Sequence, residues 1–321
     1  MSADPGDQLP EVISQERPWY PPSMYHSKMP GEVVVDFYVD INGDVRNASV
    51  VKWTRPEFIP PALEAVNQWK FKPGRRHDHA VNTHLQVPIL FGLDDHQNYS
   101  KITDPEHLYR IGAWFQEDKA GKPDFAKAVD CFRRAAAQNY PKAEYALGML
   151  YGSGRGIAKD TVEGLRLIRK AADQGYPQAQ CAVGMAYAIG EGVPKDESAA
   201  VEWYRKSARQ DYALAQYLLA ICLKTGVGVP VNFDEAATQL KLAAHQHLVA
   251  AEALLGEWYA VGEVMPKDPV QAFAWLEMAS TRGSSAAQAR FLIVERELSP
   301  KERTEGRRLS TLFSTETGVT R

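Results

Sequence analysis

The sequence predicts an α+β multidomain protein: a small N-terminal αβ domain, with an antiparallel sheet and one helix, followed by an all-α solenoid. The solenoid is predicted by a repetition, because YALGMLYGSGRGIAKD at residues 145–160 returns 36 residues later as CAVGMAYAIGEGVPKD at 181–196. A constant period of this length is typical of stacked units that each bury an apolar face on the next. The N-terminal domain is predicted by an apolar period of two within the first hundred residues.

Five 36-residue helix-loop-helix units follow one another without an insertion. They begin at Tyr109, Tyr145, Cys181, Tyr217 and Ala253. Two apolar positions four residues apart lie on one side of a first helix and form its core face. They hold Leu147, Val183, Leu219 and Leu255, and Tyr151, Tyr187, Leu223 and Tyr259. Between them stands a small residue, which allows two helices to approach closely: Gly112, Gly148, Gly184, Ala220 and Gly256.

A glycine loop connects the two helices of each unit. Gly154, Gly190, Gly226 and Gly262 align, and glycine at this point ends a helix in a left-handed conformation. The second helix then starts at a residue that is a preferred N-cap. These caps are Asp124, Asp160, Asp196, Asn232 and Asp268. A rival interpretation as a phosphate-binding loop lacks G-K-[ST] and a preceding strand.

The segment 109–288 resembles the Sel1-like repeats, which are relatives of the tetratricopeptide repeats. The stretch AVGMAYAIGEGVPKDESAAVEWYRKSA at residues 182–208 carries the resemblance. It implies a right-handed superhelix that serves as an adaptor and has no catalytic residues. A capping helix pair at 289–313, with a capping box from Ser299 to Glu302, closes the predicted domain 109–313, and the tail 314–321 frays.

The N-terminal domain is predicted from a hairpin, a helix and a last strand. VVVDFYVDINGDV at residues 33–45 alternates on one face and contains Asn42-Gly43, although the sequence does not decide the turn length or the register. FIPPALEAVNQW at 58–69 reads as a short helix. HLQVPILFG at 84–92 reads as a strand whose Pro88 favours a sheet edge.

These residues resemble the C-terminal domain of TonB-type energy transducers. The matching elements are Tyr20-Pro21, GEVVVDFYVDINGDV, WKFKPG and VPILF. The resemblance implies a periplasmic module, here at 18–95, that pairs an extended partner peptide with a sheet edge, and Leu85, Val87 and Ile89 are the residues we assign to that edge. Residues 1–17 are predicted to be disordered and 96–108 to form a linker. Energy transduction itself is not expected, because no membrane anchor or proline-rich spacer is recognised.

Composition excludes several classes of partner. The net charge of -3 comes from 37 basic and 40 acidic residues spread along the chain, so no basic face indicates nucleic acid or anionic lipid. No apolar run is long enough to span a membrane, and no export signal begins the sequence. The cysteines Cys131, Cys181 and Cys222 lack metal-site spacing and are interpreted as small buried hydrophobes. No cofactor, metal or small-molecule substrate is expected.

No catalytic signature appears in the sequence, so an enzyme is not expected. The triplet His77-Asp78-His79 is the best alternative, as the loop of a hydrolase or a metal site, but no third ligand is marked by its spacing and a solvated loop is favoured. His245 and His247 close a repeat helix, where positive charge suits the helix dipole.

A second interaction surface is predicted on the first helices, opposite their core face. Repeat positions one, five and nine are unusually apolar: Tyr145, Met149 and Ser153, then Cys181, Met185 and Ile189, then Tyr217, Ile221 and Thr225. Tyrosine and methionine suit an adaptable protein-binding groove, but the same residues could simply pack between neighbouring first helices. We therefore expect a non-enzymatic scaffold that binds envelope proteins in the periplasm, with the cytoplasm as the alternative location. An inhibitor or immunity protein that blocks a secreted toxin or envelope enzyme is the alternative function.

Overall fold

The computed structural model describes residues 7–15, 18–21, 30–77, 79–91, 103–116 and 123–315. The chain divides into two compact units, Met1–Gln138 and Asn139–Arg321. The first unit contains the strand-rich domain and the first pair of repeat helices, and the second contains the other repeat helices. The predicted α+β class, a small sheet domain followed by a helical solenoid, is therefore confirmed.

The sheet domain is built around a central nine-residue strand. Its strands are β1 (Asp7–Gln8), β2 (Glu11–Ser14), β3 (Gly31–Val39), β4 (Val45–Trp53), β5 (Lys70–Lys72), β6 (Gly74–Arg76), β7 (His79–Val81) and β8 (Thr83–Phe91), and its helix is α1 (Ile59–Asn67). Antiparallel sheets have the orders β4-β3-β8, β2-β5 and β1-β6-β7. The predicted hairpin, helix and last strand are thus all present.

The core of this domain follows from the alternation of β3. Val33, Val35, Phe37 and Val39 are fully buried, whereas the residues between them are not. They pack with Phe58, the helix residues Ala62 and Val66, and Trp69, Phe71 and Phe91. The turn that the sequence leaves open is a loop from Asp40 to Asp44, in which Asp40 Oδ1 accepts from the Asn42 and Asp44 amides at 2.9 and 3.0 Å.

The segment 1–17, which the sequence predicts to be disordered, contains two short strands. β1 pairs with β6, and β2 pairs with β5 in antiparallel fashion, with Glu11 opposite Lys72. Lys72 Nζ lies 2.8 Å from Glu11 Oε2. The prediction of disorder is therefore wrong for these strands, which form backbone pairs while the side chains of β2 stay exposed.

The helices form antiparallel hairpins with the predicted period. They are α2 (Pro105–Gln116), α3 (Phe125–Ala136), α4 (Pro141–Ser153), α5 (Thr161–Asp173), α6 (Pro177–Ile189), α7 (Glu197–Ala208), α8 (Ala213–Thr225), α9 (Phe233–His245), α10 (Val249–Val261), α11 (Pro269–Thr281), α12 (Ser285–Glu297) and α13 (Pro300–Thr315). Each hairpin begins four residues before the predicted unit start, so α2 occupies the end of the predicted linker 96–108.

The caps that define each hairpin are confirmed. Gly154, Gly190, Gly226 and Gly262 end the first helices in the left-handed conformation. The side chains of all five predicted N-caps accept hydrogen bonds from the first-turn amides of the second helices. Close helix approach is confirmed as well, because a Cβ added to Gly184 would lie 2.7 Å from the Tyr204 ring.

The predicted C-terminal helix pair is present as α12 and α13, but it packs differently from the earlier hairpins. α12 packs on α11 as the next first helix would, but α13 packs mainly on α11 and not on α12. Leu292 occupies the position that holds Gly256, Ala220 or Gly148 in earlier units. The small residue of the earlier hairpins is thus absent from α12, and only Leu298 and Ser299 connect α12 to α13 in place of a glycine loop. The predicted capping box is confirmed, with the Ser299 amide donating to Glu302 at 2.8 Å.

Candidate interaction surfaces

The predicted stripe on the first helices contains exposed and half-buried residues and one buried residue, Cys181. Met149, Met185 and Ile189 are exposed, with relative exposures between 44 and 68 %. Tyr145, Tyr217 and Ile221 are half-buried; the ring centroid of Tyr145, for example, lies 5.6 Å from that of Tyr176. The exposed residues are large and apolar, and folding gains nothing from leaving them in water.

The stripe extends further than the sequence analysis recognised. Val261 occupies position nine of the fifth unit and is exposed. Ile293 of α12 is exposed as well, and it occupies position five when the 36-residue register is continued from the fifth unit. The stripe also has polar members: Ser153 and Thr225 donate to helix carbonyls at 2.9 and 2.8 Å, and Glu257, at position five of the fifth unit, forms an ion pair with Arg290. Extending the 36-residue register to the last first helices would have identified both additional residues. The name "helix stripe" is used below for the exposed residues Met149, Met185, Ile189, Val261 and Ile293 together with the half-buried Tyr145, Tyr217 and Ile221.

The sheet edge lies where the sequence predicts, but the assigned side chains face the other way. β8 pairs with β3 over its whole length, from Gly31 opposite Phe91 to Val39 opposite Thr83, and is the last strand of its described sheet. Leu85 and Val87 are half-buried and Ile89 is buried, and all three pack in the domain core. Their assignment as side chains that contact a partner is therefore corrected. A partner strand would meet the backbone of β8 instead.

The two histidines of the predicted His77-Asp78-His79 loop lie at the β6–β7 hairpin. Both are exposed, and His79 begins β7; Asp78 lies outside the described residues. No group of three or more His, Cys, Asp and Glu side chains in the described part of the chain could hold a metal ion. Cys131 and Cys181 are buried free thiols, as predicted, and burial raises the pKa of each to about 12. Their thiolates are therefore scarce near neutral pH.

A ladder of buried polar residues was missed by the sequence analysis. Glu144, Gln180, Gln216 and Glu252 stand at one repeat position, and each is buried within its first helix. The partners, from the end of the second helix of the same unit, are Gln174, Gln210, Gln246 and Arg282. Gln210 donates to Gln180 at 2.8 Å, and Gln180 in turn donates to the Ala172 carbonyl of the preceding unit at 3.2 Å.

This ladder fixes how units stack, because a buried amide or carboxylate without its partner is costly. Its signal in the sequence is the same 36-residue period, since the four buried residues stand one position before the predicted unit starts at 145, 181, 217 and 253. The ladder is structural, and its end members differ from its middle: Glu144 and Glu252 are charged where Gln180 and Gln216 are neutral.

A polar cluster within the compact unit Met1–Gln138 joins the sheet domain to helix α2. Glu64 of α1 accepts from Trp19 Nε1 at 3.0 Å, and its other oxygen lies 2.9 Å from His107 Nε2. Arg110 Nη1 lies 3.6 Å from Glu64 and its guanidinium covers the Trp19 ring. Asp104 lies 3.5 Å from His107 Nδ1. Burial alone would raise the pKa of Glu64, but the bonds from Trp19 and His107 and the charges of His107 and Arg110 lower it overall.

Because the pKa of Glu64 is lowered, part of the stability of the compact unit Met1–Gln138 depends on pH. Ionised Glu64 contributes above the ordinary glutamate pKa, and the contribution is lost as pH falls through the lower folded value. We expect Glu64→Gln to cost about 0.5 kcal/mol at pH 7, since the carboxylate is partly exposed, and the difference from the wild type to close as the pH falls through the lowered folded pKa of Glu64. Urea unfolding at several pH values measures this. Glu57→Gln, at an exposed carboxylate of the preceding turn, is the control and should change little at any pH.

The N-terminal domain is similar to a domain of known proteins. Residues 16–93 match the family model of the Gram-negative bacterial TonB protein C-terminal. Protein TonB of Xanthomonas campestris pv. campestris (strain B100) is 33% identical over 78 residues, which are 24% of this chain and 35% of that protein. The chain therefore spans about a third of the length of the curated relatives it matches. No helix in the described ranges has the length and apolar character needed to cross a membrane.

The helical part is similar to solved repeat structures. The family model of the Sel1 repeat matches at 106–140, 141–176, 177–212, 213–247 and 249–284, more than half of the chain. The structure of c5321, a protective antigen present in uropathogenic Escherichia coli strains displaying an SLR fold, is 31% identical with a TM-score of 0.61, covering 69% of this chain and 47% of that one. A Sel1 repeat protein from Oxalobacter formigenes is 27% identical with a TM-score of 0.59, covering 68% and 93%. The chain thus belongs to the Sel1 repeat family and carries a TonB C-terminal domain ahead of its five repeats.

Proposed function

We propose that this protein is a non-enzymatic interaction scaffold of the bacterial envelope that binds other proteins through two surfaces. The observation that carries the proposal is the helix stripe, in which equivalent positions of successive first helices expose large apolar side chains. Stacked repeats present such positions as a continuous surface, and flexible methionines adapt to partners of varied shape. The TonB C-terminal domain supports the envelope as the location and the periplasm as the compartment.

The stripe is tested by photo-crosslinking from single positions. We expect a crosslinking amino acid at Met185 to capture a partner from a bacterial envelope extract, because that side chain is exposed on the stripe. The matched control position is Val162, which is exposed to a similar or greater degree but lies on a second helix. Met185→Lys should weaken binding of the captured, purified partner about tenfold or more, with unchanged thermal stability. Equal capture from both positions would contradict the proposal.

The free edge of β8 is the second surface, and it binds through the backbone. Proline cannot donate to a ladder, so the Pro88 nitrogen is compatible with β3 pairing only when it faces away from β3. A partner strand would then lose one hydrogen bond at Pro88 and gain others at the same-facing residues Gln86 and Leu90. Crosslinking from Gln86 to an extended partner segment tests this surface separately from the stripe.

An inhibitor or immunity role stays a prediction that uses the same stripe. The crosslinking experiment separates it from a scaffold, because a blocked toxin or enzyme would be captured with its active site occluded. A hydrolase that uses His77 and His79 also stays a prediction; it requires an activity that the double change His77→Ala/His79→Ala abolishes.

A further inference from the structure

The loop of the fourth repeat unit differs from the equivalent loops of the second, third and fifth units. It carries Val227, Val231 and Phe233 at positions that face solvent. At the position of Val227 the other three units have Arg155, Glu191 and Glu263, and at that of Val231 they have Lys159, Lys195 and Lys267. At the position of Phe233 they have Thr161, Glu197 and Pro269. The first unit has Phe125 at this last position, where it is half-buried.

Folding does not require these apolar residues. The backbone is equivalent in the sister units, where Gly190 and Gly226 adopt similar left-handed conformations with φ of 77° and 76°. The three side chains of the fourth unit are between 41 and 54 % exposed. An apolar side chain left in water where the same backbone accepts lysine or arginine gives no gain in stability. A contact made outside the chain would give one.

Two of these three side chains, Val231 and Phe233, border an open cavity of about 710 Å³, which Val227 does not line. Its apolar walls are Val231 and Phe233, together with Leu223, Val229 and Val264, the last from the loop of the fifth unit. Polar and charged side chains line the depression beside these apolar ones, and such a combination can anchor an apolar side chain of a partner while it selects the neighbouring group. It shares no residue with the helix stripe or with the edge of β8.

The polar rim of the cavity includes Asp234, an exposed carboxylate in the first turn of α9. Glu235 is engaged by Arg205, whose Nη1 lies 2.5 Å away, and Asn232 caps α9. Asp234 also lines the cavity, and no described residue forms an ion pair or a side-chain hydrogen bond with its carboxylate. The second, third and fifth units have Val162, Ser198 and Val270 in its place. The carboxylate is therefore peculiar to the unit that also has the apolar loop.

We infer that this cavity binds a peptide segment of a partner protein in which an apolar side chain stands next to a lysine or arginine. The apolar side chain packs between Val231, Phe233 and Val264, and the neighbouring cation pairs with Asp234. The apolar side chains and the Asp234 carboxylate select one kind of partner together, because a carboxylate beside an apolar pocket discriminates in favour of basic partners and against acidic ones.

The inference is tested with a displayed library of random 12-residue peptides. Peptides are selected on the full-length protein and measured against the double variant Val231→Lys/Phe233→Thr, which carries the residues of the second unit, Lys159 and Thr161, and so preserves the fold. We expect the enriched peptides to contain an apolar residue adjacent to lysine or arginine. They should bind the double variant about tenfold or more weakly. Asp234→Asn should weaken the same peptides and reduce the salt dependence of their binding.

Three results would overturn the inference: no enrichment on the wild type, enriched peptides that lack a basic residue, or equal binding to the double variant. The control is Lys195→Glu in the loop of the third unit, which should leave binding unchanged. Circular dichroism spectra that coincide for all variants exclude loss of fold as the cause. Failure here would leave the proposed scaffold function standing, since crosslinking from Met185 and Gln86 probes other residues.

Discussion

Replacing Arg282 by alanine is expected to lower the free energy of unfolding of the compact unit Asn139–Arg321 by about 3–5 kcal/mol. Arg282 forms an ion pair with Glu252, whose side chain is completely buried in α10. Among the described residues, His247 also lies beside this carboxylate, with Nδ1 at 3.5 Å, and its pKa is lowered mainly by burial and then by the charge of Arg282. Without Arg282 the carboxylate stays buried and uncompensated. Urea unfolding followed by circular dichroism measures the loss.

The middle units of the chain supply the control for this variant. Gln180 and Gln216 occupy the position of Glu252, and their partners Gln210 and Gln246 occupy that of Arg282, in each case with a hydrogen bond of 2.8 Å. The double change Glu252→Gln/Arg282→Gln installs the same neutral pair. It should recover most of the lost stability, since no charge is then buried. A double variant as unstable as Arg282→Ala would show that the ladder is not the cause.

Gly228→Ala is expected to cost about 3 kcal/mol, the sum of a left-handed backbone and a steric clash. Gly228 has φ of 69°, and an added Cβ would collide with the Glu197 carbonyl group of the preceding unit. Because the obstacle is backbone at the start of α7, it cannot rotate away as a side chain could. The stacked units would have to separate. Hydrogen exchange at the α7 and α9 amides, compared with the wild type, locates the effect.

Gly154→Ala separates the two contributions to that cost. Gly154 has the same φ of 69°, but the nearest atom to its added Cβ is the Lys159 Cβ at 3.1 Å. It should therefore lose only the backbone preference, about 1 kcal/mol. If the two alanine variants were equally destabilised, contact between neighbouring units at Gly228 would not matter.

Most of the fold could be predicted from the sequence because each element carries a local signal that repeats. The N-cap at Asp196, the left-handed Gly190 and the small Gly184 recur every 36 residues, so each reading is checked by its copies. The sheet domain was predicted from the alternation along β3. The strands of residues 7–14 were not, because backbone pairing with exposed side chains leaves no apolar pattern.

The interaction surfaces were harder to predict from the sequence than the fold. Met185 and Ile189 could be assigned to an exposed stripe because they lie on a helix whose core face was known. The inward direction of Ile89 could not be decided, since strand residues alternate and the register of the sheet was open. The loop of the fourth unit was overlooked because alignment of the repeats draws attention to what they share, whereas Val231 and Asp234 are informative through their difference.

Helix α11 is covered by both α12 and α13, an arrangement that no earlier second helix has. Because each repeat contacts only its neighbours, a 36-residue copy could be removed from the middle of the stack without disturbing the contacts among these three helices. The number of docking positions along the stack can therefore change by whole units while the packing around α11 is kept.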